Sequence, residues 1–327
     1  MKKIGFATIG TNFIVDWFLA AAELCGEFEL RAVYSRTLEK GRGFAGSREG
    51  VKVYDSLEAL AADPDIDAVY IASPTSCHAG QAVMMLEAGK HVLCEKPAAS
   101  NRKEWGQMLD AADKAGKVVL EAMRPLFSPG FLAIRDSLTE LGTIRMASFS
   151  YCQYSSRYDK FKQGIIENAF RPEFSNGALM DIGIYCTASM VGLFGRPARV
   201  YGFSYGLEGS IDGMGTICAV YEEMLGTASY SKISDAESDG VIQGEKGTLT
   251  YDCVGSPANV RIKYRSGAET VIFQQPDDHD MMYEIRAFIR MIQGKEDPDE
   301  FHRTTGLTLE LTDTVRAQNG IIFPADR

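Results

Sequence analysis

His91-Val92-Leu93-Cys94-Glu95-Lys96-Pro97 is a short apolar run that stops abruptly in an acid, a lysine and a proline. Proline has no N–H to give a ladder, so a strand here ends at Pro97. In an open parallel sheet, ligands bind in the crevice outside the strands' carboxyl ends. On such a sheet Glu95, Lys96 and Pro97 stand at the mouth of a site; elsewhere Lys96 is a solvated surface lysine. Three other segments break in the same manner. Ile9-Gly10-Thr11-Asn12-Phe13-Ile14-Val15 leaves an apolar run and opens a helix, whose first N–H groups favour an anion. Of the phosphate fingerprint Gly-x-Gly-x-x-Gly only Gly10 survives, with Asn12 and Val15 in the later glycine places. Asn12 tolerates left-handed backbone, and its amide could donate to phosphate. Tyr34-Ser35-Arg36-Thr37 follows a second run and lacks the acid that binds ribose hydroxyls. A hydroxyl and a planar cation suit a 2′-phosphate instead, which favours NADP over NAD. Ser73-Pro74-Thr75-Ser76-Cys77-His78 is a fourth strand end, with His78 read as a cofactor contact rather than a catalyst. The bland readings are an ordinary strand-to-helix turn at Gly10, a surface arginine at 36 and a structural histidine at 78.

These residues share a crevice only if the elements behind them alternate. They do. Ile4–Ile9, Leu30–Ser35, Val51–Tyr54, Ala68–Ser73, His91–Cys94 and Val118–Ala122 read as strands, separated by helical patterns at Phe13–Leu24, Leu38–Ala45, Leu57–Ala61, Ala79–Glu87 and Lys103–Lys114. Gly26, Gly89 and Gly116 stand where left-handed helix caps belong. Alternation of this length predicts a doubly wound parallel sheet, an α/β dinucleotide-binding (Rossmann) domain over residues 1–124. From residue 125 to 327 the pattern changes to an α+β domain. A helix Pro129–Leu138, a strand Ile144–Tyr151, a Tyr- and Ser-rich loop Gln153–Gln163 and an apolar helix Met180–Phe194 come first. Seven strand-like runs between Val200 and Phe273 follow, with short Gly-rich links that predict a large, mostly antiparallel open sheet. Two helices, Tyr283–Ile292 and Thr305–Ala317, close the chain. One face of that sheet is left for solvent or a second subunit, and its Tyr, Phe and Val content favours a subunit.

Composition narrows the classes. The 327 residues carry 34 basic and 44 acidic side chains, net charge -10, so broad nucleic-acid binding is disfavoured. Seven scattered cysteines without a Cys-x-x-Cys pair suit free thiols in a reducing, cytoplasmic setting, and four dispersed histidines give no metal-like spacing. The N-terminus lacks a signal-peptide pattern, and the longest apolar stretch, Ile182 to Phe194, is too short to span a bilayer.

Taken together, Ile9-Gly10-Thr11, Ser35-Arg36, Ser73-Pro74…His78, Glu95-Lys96-Pro97 and Glu121-Ala122 resemble the Gfo/Idh/MocA oxidoreductases. Gly177-Ala178-Leu179-Met180-Asp181-Ile182-Gly183-Ile184-Tyr185 and Gly244-Glu245-Lys246-Gly247-Thr248 extend the likeness into the second half. The resemblance implies a nicotinamide cofactor and a homodimer or homotetramer built through the second sheet. It matches Lys96 to the family lysine near nicotinamide, and Asp181 to the family's second-domain acid. Tyr185 stands where the sugar dehydrogenases commonly carry histidine, which is similar to the NADP-linked dihydrodiol dehydrogenase branch. The resemblance also places Thr11, Phe13, Ile14, Pro74, Thr75 and Glu121 among the cofactor contacts.

The chemistry expected is hydride transfer between nicotinamide C4 and a hydroxyl-bearing carbon of a sugar, polyol or cyclic diol. The hydroxyl proton needs a positioned acid or base. A free phenol, pKa about 10, is poor at this; a nearby ammonium stabilises phenolate. Lys96 supplies that charge or carries the proton itself, with Asp181 orienting one of them. Asp181 as a plain helix cap and Tyr185 as core packing are the structural alternatives. Arg124, Arg171 and Tyr154 are candidate substrate contacts. Two other functions use the same residues: redox-neutral glycoside cleavage with tightly held NAD, and a non-catalytic dinucleotide-binding regulator.

Overall fold

The computed structural model describes residues 3–46, 48–237, 240–275 and 279–327. The chain divides into two compact units: Met1–Ala122 with His279–Arg303, and Met123–Asp278 with Thr304–Arg327.

The first unit alternates strands β1 (Ile4–Ile9), β2 (Phe28–Tyr34), β3 (Lys52–Tyr54), β4 (Ala68–Ile71), β5 (His91–Glu95) and β6 (Val119–Ala122) with helices α1 (Phe13–Cys25), α2 (Leu38–Ala45), α3 (Leu57–Ala61), α4 (Thr75–Glu87) and α5 (Arg102–Ala115). Its six strands are parallel, in the order β3-β2-β1-β4-β5-β6. The order reverses between β1 and β4, which opens the crevice at their carboxyl ends. β4 and the middle of β5 are buried throughout, the signature of a sheet covered on both faces. Phe6, Phe18, Phe28 and Tyr70 form one aromatic core, Tyr70 stacked on Phe18 at 3.6 Å. Gly26 and Gly116 cap α1 and α5 in the left-handed conformation. Helix α4 starts four residues before its apolar periodicity does, because Pro74 provides a preset N-terminus, and His78 therefore lies inside its first turn.

The second unit carries α6 (Pro129–Ser137), β7 (Ile144–Cys152), α7 (Tyr158–Lys162) and α8 (Ile184–Phe194), then β8 (Arg199–Leu207), β9 (Ile211–Val220), β10 (Leu225–Ser231), β11 (Gly240–Gly244), β12 (Gly247–Asp252), β13 (Ala258–Tyr264) and β14 (Glu269–Phe273). These strands form one sheet in the order β14-β13-β12-β11-β7-β10-β9-β8. All its pairs are antiparallel except β7 with β10. The helices α6 and α8 cover one face. The other face presents Tyr201, Phe203 (76% exposed) and Tyr205 on β8, with Met146, Met214 and Leu225 on the strands behind. The Gln153–Gln163 segment is not all loop, since α7 forms within it.

Two local features depart from the sequence reading. The apolar helix does not begin as an α-helix: Leu179–Gly183 is a π-helical turn that passes into α8. The window Pro172–Phe194 has the length and hydropathy of a membrane span, but it is not one helix: a 3-10 turn at Pro172–Phe174 is followed by left-handed Ser175 and by Gly177 at φ +131° before the π-turn begins. With 78% of its most apolar window buried inside the unit, it has the surroundings of a core helix.

Candidate active site

In the first unit, hydrogen bonds tie the strand ends together. Gly10 N–H reaches Tyr34 O at the end of β2 (3.4 Å), and Asn12 Nδ2 donates to Ala72 O after β4 (3.1 Å). Gly10 has φ +125°, and a Cβ there would lie 2.7 Å from Ala72 O, so only glycine fits. The left-handed backbone expected at Asn12 falls to Gly10 instead; Asn12 is extended (φ -95°). With its amide turned to Ala72, Asn12 does not cap α1. The N–H groups of Phe13 and Ile14 consequently have no partner among the described residues, which is the donor set a helix N-terminus offers an anion. Thr11 completes the turn. At the end of β2, Ser35 is buried, with its N–H on Tyr54 O. Arg36 is exposed and makes no hydrogen bond or ion pair among the described residues. Its guanidinium remains available to a phosphate. These features fit a phosphorylated dinucleotide.

The ends of β4, β5 and β6 are fastened more heavily. His78 Nδ1 lies 2.9 Å from Pro97 O and Nε2 2.8 Å from Ser73 O. Only 1% of the residue is exposed. The ring braces two loops, and burial pushes its pKa down, so the neutral imidazole donates from one nitrogen. Ser73 Oγ donates to Gln81, and Pro74 and Thr75 form the cap and first residue of α4. Glu95 accepts from the Tyr70 hydroxyl (2.5 Å) and from the Lys96 N–H (3.3 Å). Pro97 follows through a cis peptide bond. Glu121, also buried, accepts the Ala98 N–H at 2.9 Å, so β6 fixes the chain just past Lys96. Burial, and then the charges of Glu121 and Glu95, push the Cys94 thiol well above its ordinary pKa, which makes it inert. Lys96 itself is half-buried at the tip of this braced loop.

In the second unit, Asp181 sits on the π-turn and Tyr185 on the first turn of α8. Tyr185 is nearly buried, its ring 5.5 Å from that of Tyr151 on β7. Asp181 pairs with Lys232, which follows β10: Nζ to Oδ2 is 2.7 Å. Sequence reasoning missed this lysine. The available signal was its phase, because Lys232 continues the inward alternation of Ala228 and Tyr230. Asp212 was missed as well. It is buried on β9 and accepts the N–H groups of Ala178 (3.0 Å) and Leu179 (2.7 Å), capping the π-turn from a neighbouring strand. Burial outweighs those bonds and the charge of Lys232, and its pKa is pushed up to about 6. Gly183 lets the turn settle on the Tyr230 ring, which a Cβ would meet at 2.8 Å.

The remaining candidates are dispersed. Tyr154 gives its hydroxyl to Asp159 and receives Lys162, forming an exposed knot with α7. Arg171 is exposed, with Nε on Ile166 O (2.9 Å). Arg124 is half-buried in a short 3-10 turn before α6.

Comparison with known proteins agrees with this architecture. Residues 4–123 match the model of an oxidoreductase family with an NAD-binding Rossmann fold, GFO/IDH/MocA, and residues 133–250 match the C-terminal domain model of the same family. The chain is 43% identical over 328 residues to scyllo-inositol 2-dehydrogenase (NADP(+)) IolU of Bacillus subtilis, covering 99% of both proteins. It is 27% identical to trans-1,2-dihydrobenzene-1,2-diol dehydrogenase of Danio rerio, covering 95% of each. Among solved structures, a 3-ketoreductase from Actinomadura kijaniata in complex with NADP and TDP-benzene shares the fold, with TM-score 0.84 and 24% identity over 97% of this chain and 98% of that one.

Proposed function

The chain belongs to the Gfo/Idh/MocA oxidoreductase family, and on that premise we propose an NADP-dependent dehydrogenase that interconverts a hydroxyl and a ketone on a cyclic polyol or diol. The observation that carries the reading is full-length similarity to an NADP-linked inositol dehydrogenase. The unpartnered Arg36 guanidinium at the end of β2 supports the phosphorylated cofactor.

In the oxidising direction the substrate carbon loses a hydride and its hydroxyl loses a proton, leaving a carbonyl. Bound NADP supplies nicotinamide C4 as the hydride acceptor. Gly10, Thr11, Asn12, Phe13 and Ile14 hold its diphosphate, Ser35 and Arg36 its 2′-phosphate, and Ser73, Pro74, Thr75, Glu95, Pro97 and Glu121 shape or support the nicotinamide end. Tyr185 takes the hydroxyl proton with the Lys96 ammonium stabilising its phenolate, or Lys96 carries the proton itself. Asp181 orients the proton-handling group. Arg124, Arg171 and Tyr154 serve the substrate. Residues 1–124 form the cofactor-binding part, which His279–Arg303 joins, and the rest of 125–327 the substrate-binding and assembly part. The aromatic outer face at Tyr201, Phe203 and Tyr205 supports a homodimer or homotetramer through the sheet. Seven free cysteines support a reducing cytoplasm.

Fluorescence titration with NADPH and NADH, followed by turnover assays on inositols and trans-diols, tests the reading. At least tenfold tighter binding of NADPH is expected, with NADPH accumulating on a cyclic polyol. Preference for NADH refutes the Arg36 argument. Turnover without net nicotinamide reduction assigns redox-neutral cleavage instead, and binding without turnover assigns a regulator.

A further inference from the structure

Lys232 has no part in the roles just proposed, yet it is among the most deeply buried cations of the second unit, 3% exposed. It follows β10 directly, and its backbone N–H is fixed on Gly213 O at 2.8 Å. Its side chain shares the inward face with Ala228 and Tyr230. Nζ stands 2.7 Å from Asp181 Oδ2, 3.0 Å from Ala169 O and 4.7 Å above the centre of the Phe170 ring. A carboxylate, a carbonyl and a ring face together occupy the three donors of an ammonium. Burying a lysine is costly unless its charge is matched, so the match with Asp181 is strongly specified.

The pair is lopsided. The Asp181 side chain keeps 32% of its surface exposed while the cation beneath it is sealed. Asp212 meanwhile holds the start of the same π-turn through the Ala178 and Leu179 N–H groups. Two strands thus fix this turn from below, one by its backbone and one by its acid.

We propose that Lys232 is a positioning residue for the oxidoreductase reaction: from beneath the π-turn it sets the orientation of the Asp181 carboxylate and keeps it ionised. This rests on the reading that Asp181 serves the hydride reaction. The other titratable groups on the elements around the turn are Asp212 and Cys218 on β9, Tyr230 on β10, Arg145, Tyr151 and Cys152 on β7, and Tyr185 and Cys186 on α8. Glu167 and Arg171 flank the Ala169-Phe170 turn. Burial pushes the Asp212 pKa up to about 6, so its contribution to a pH profile is separated from that of Asp181 by its own variant.

The experiment is the pH profile of kcat/KM for the wild type, Lys232→Met, Lys232→Arg, Asp212→Asn and Asp181→Asn, with cofactor affinity measured alongside. Loss of the ammonium is expected to lower kcat/KM about 10- to 100-fold near neutral pH. It should also move the acid limb up by about one pH unit, with the Kd for NADPH unchanged. Lys232→Arg should restore the limb, and Asp212→Asn should leave it in place. An unmoved limb in Lys232→Met, or no rescue by arginine, overturns the proposal. If the methionine variant does not fold, Lys232→Gln is read by the same criteria. Full activity in Asp181→Asn removes the parent reading, whereas an impaired Asp181→Asn beside a wild-type limb in Lys232→Met removes only this inference.

Discussion

The two units position their candidate residues by opposite means. In the first, Lys96 lies at a strand end, and the groups that brace its loop come from the same rim of the sheet: Glu95 ending β5, His78 in the first turn of α4, and Glu121 of β6 on Ala98. In the second, Asp181 depends on Lys232, and the head of its turn on Asp212, groups supplied from strands much later in the chain. A parallel sheet gathers its strand ends at one rim, so its site residues follow the topology. An open antiparallel sheet has no such rim, and there the site residues follow side-chain pairing across the sheet. Substitutions should therefore act differently in the two units.

The largest effect should come from the proton-handling residues themselves. Lys96→Met and Tyr185→Phe are each expected to lower kcat by about 10²- to 10⁴-fold, with NADPH affinity nearly intact in Tyr185→Phe. Steady-state kinetics with circular dichroism to confirm folding measures both. Near-normal turnover in either variant removes that unit from the chemistry and breaks the symmetry of the comparison.

The glycines come next. At Gly177 (φ +131°) a Cβ would lie 2.1 Å from Asp212 Oδ1, and at Gly10 it would lie 2.7 Å from Ala72 O. A left-handed backbone forced on alanine costs about 1–3 kcal/mol, and Gly177→Ala must also displace the carboxylate that caps the π-turn. It should lower Tm more than Gly10→Ala while leaving the Kd for NADPH within about threefold. Gly10→Ala should weaken NADPH about tenfold or more, since a shift of about 1.4 kcal/mol is tenfold. The reverse ranking in thermal melts and titrations contradicts the division of labour.

Arg36→Ala should weaken NADPH by about 10- to 100-fold, the equivalent of a charge-assisted hydrogen bond of about 1.5–3 kcal/mol, and leave NADH unchanged. Equal losses for both cofactors mean that Arg36 acts on the adenine or on the fold.

The same contrast explains what the sequence revealed. All six parallel strands were located to within two residues: β1, β4, β5 and β6 because a strand buried on both faces reads as an apolar run, β2 and β3 because they alternate with helical patterns. The antiparallel strands were legible from their Gly-rich links, and Glu95-Lys96-Pro97 from its abrupt change of residue type. The π-turn was not legible, since Met180–Phe194 carries apolar side chains on every face and gives no phase to distinguish one helical winding from another. Lys232 hid behind distance in sequence; its contact with Ala169 spans 63 residues. His78 was legible from its position after a strand end, but not its burial against the backbone carbonyls of Ser73 and Pro97. The association of His279–Arg303 with the first unit is a return of the chain that no local pattern announces.

The smallest net effect, and the one that separates the units most cleanly, is expected from pH. Burial and the Lys117 charge depress the pKa of His91 in the first unit to about 4, and its Nδ1 accepts the Val118 N–H at 3.0 Å. The unfolded imidazole takes up its proton near pH 6.5, so the stability this group gives is present above that pH and falls away as pH drops towards 4. Asp212 in the second unit runs the other way. Its folded pKa of about 6 exceeds the unfolded value of 3.8, so between those values the folded state binds more protons and the second unit loses stability as pH rises. The two slopes oppose over nearly the same window, and the whole-protein Tm should change little, by the equivalent of about 1 kcal/mol or less. Amide exchange corrected for intrinsic rates resolves them: Val118 should lose protection from pH 6.5 down to 4.5, while Ala178 and Leu179 gain it. Asp212→Asn should abolish the second slope and leave the first. Protection that moves in the same direction at both places would mean that the units do not open independently, and the contrast between them would then describe their construction but not their stability.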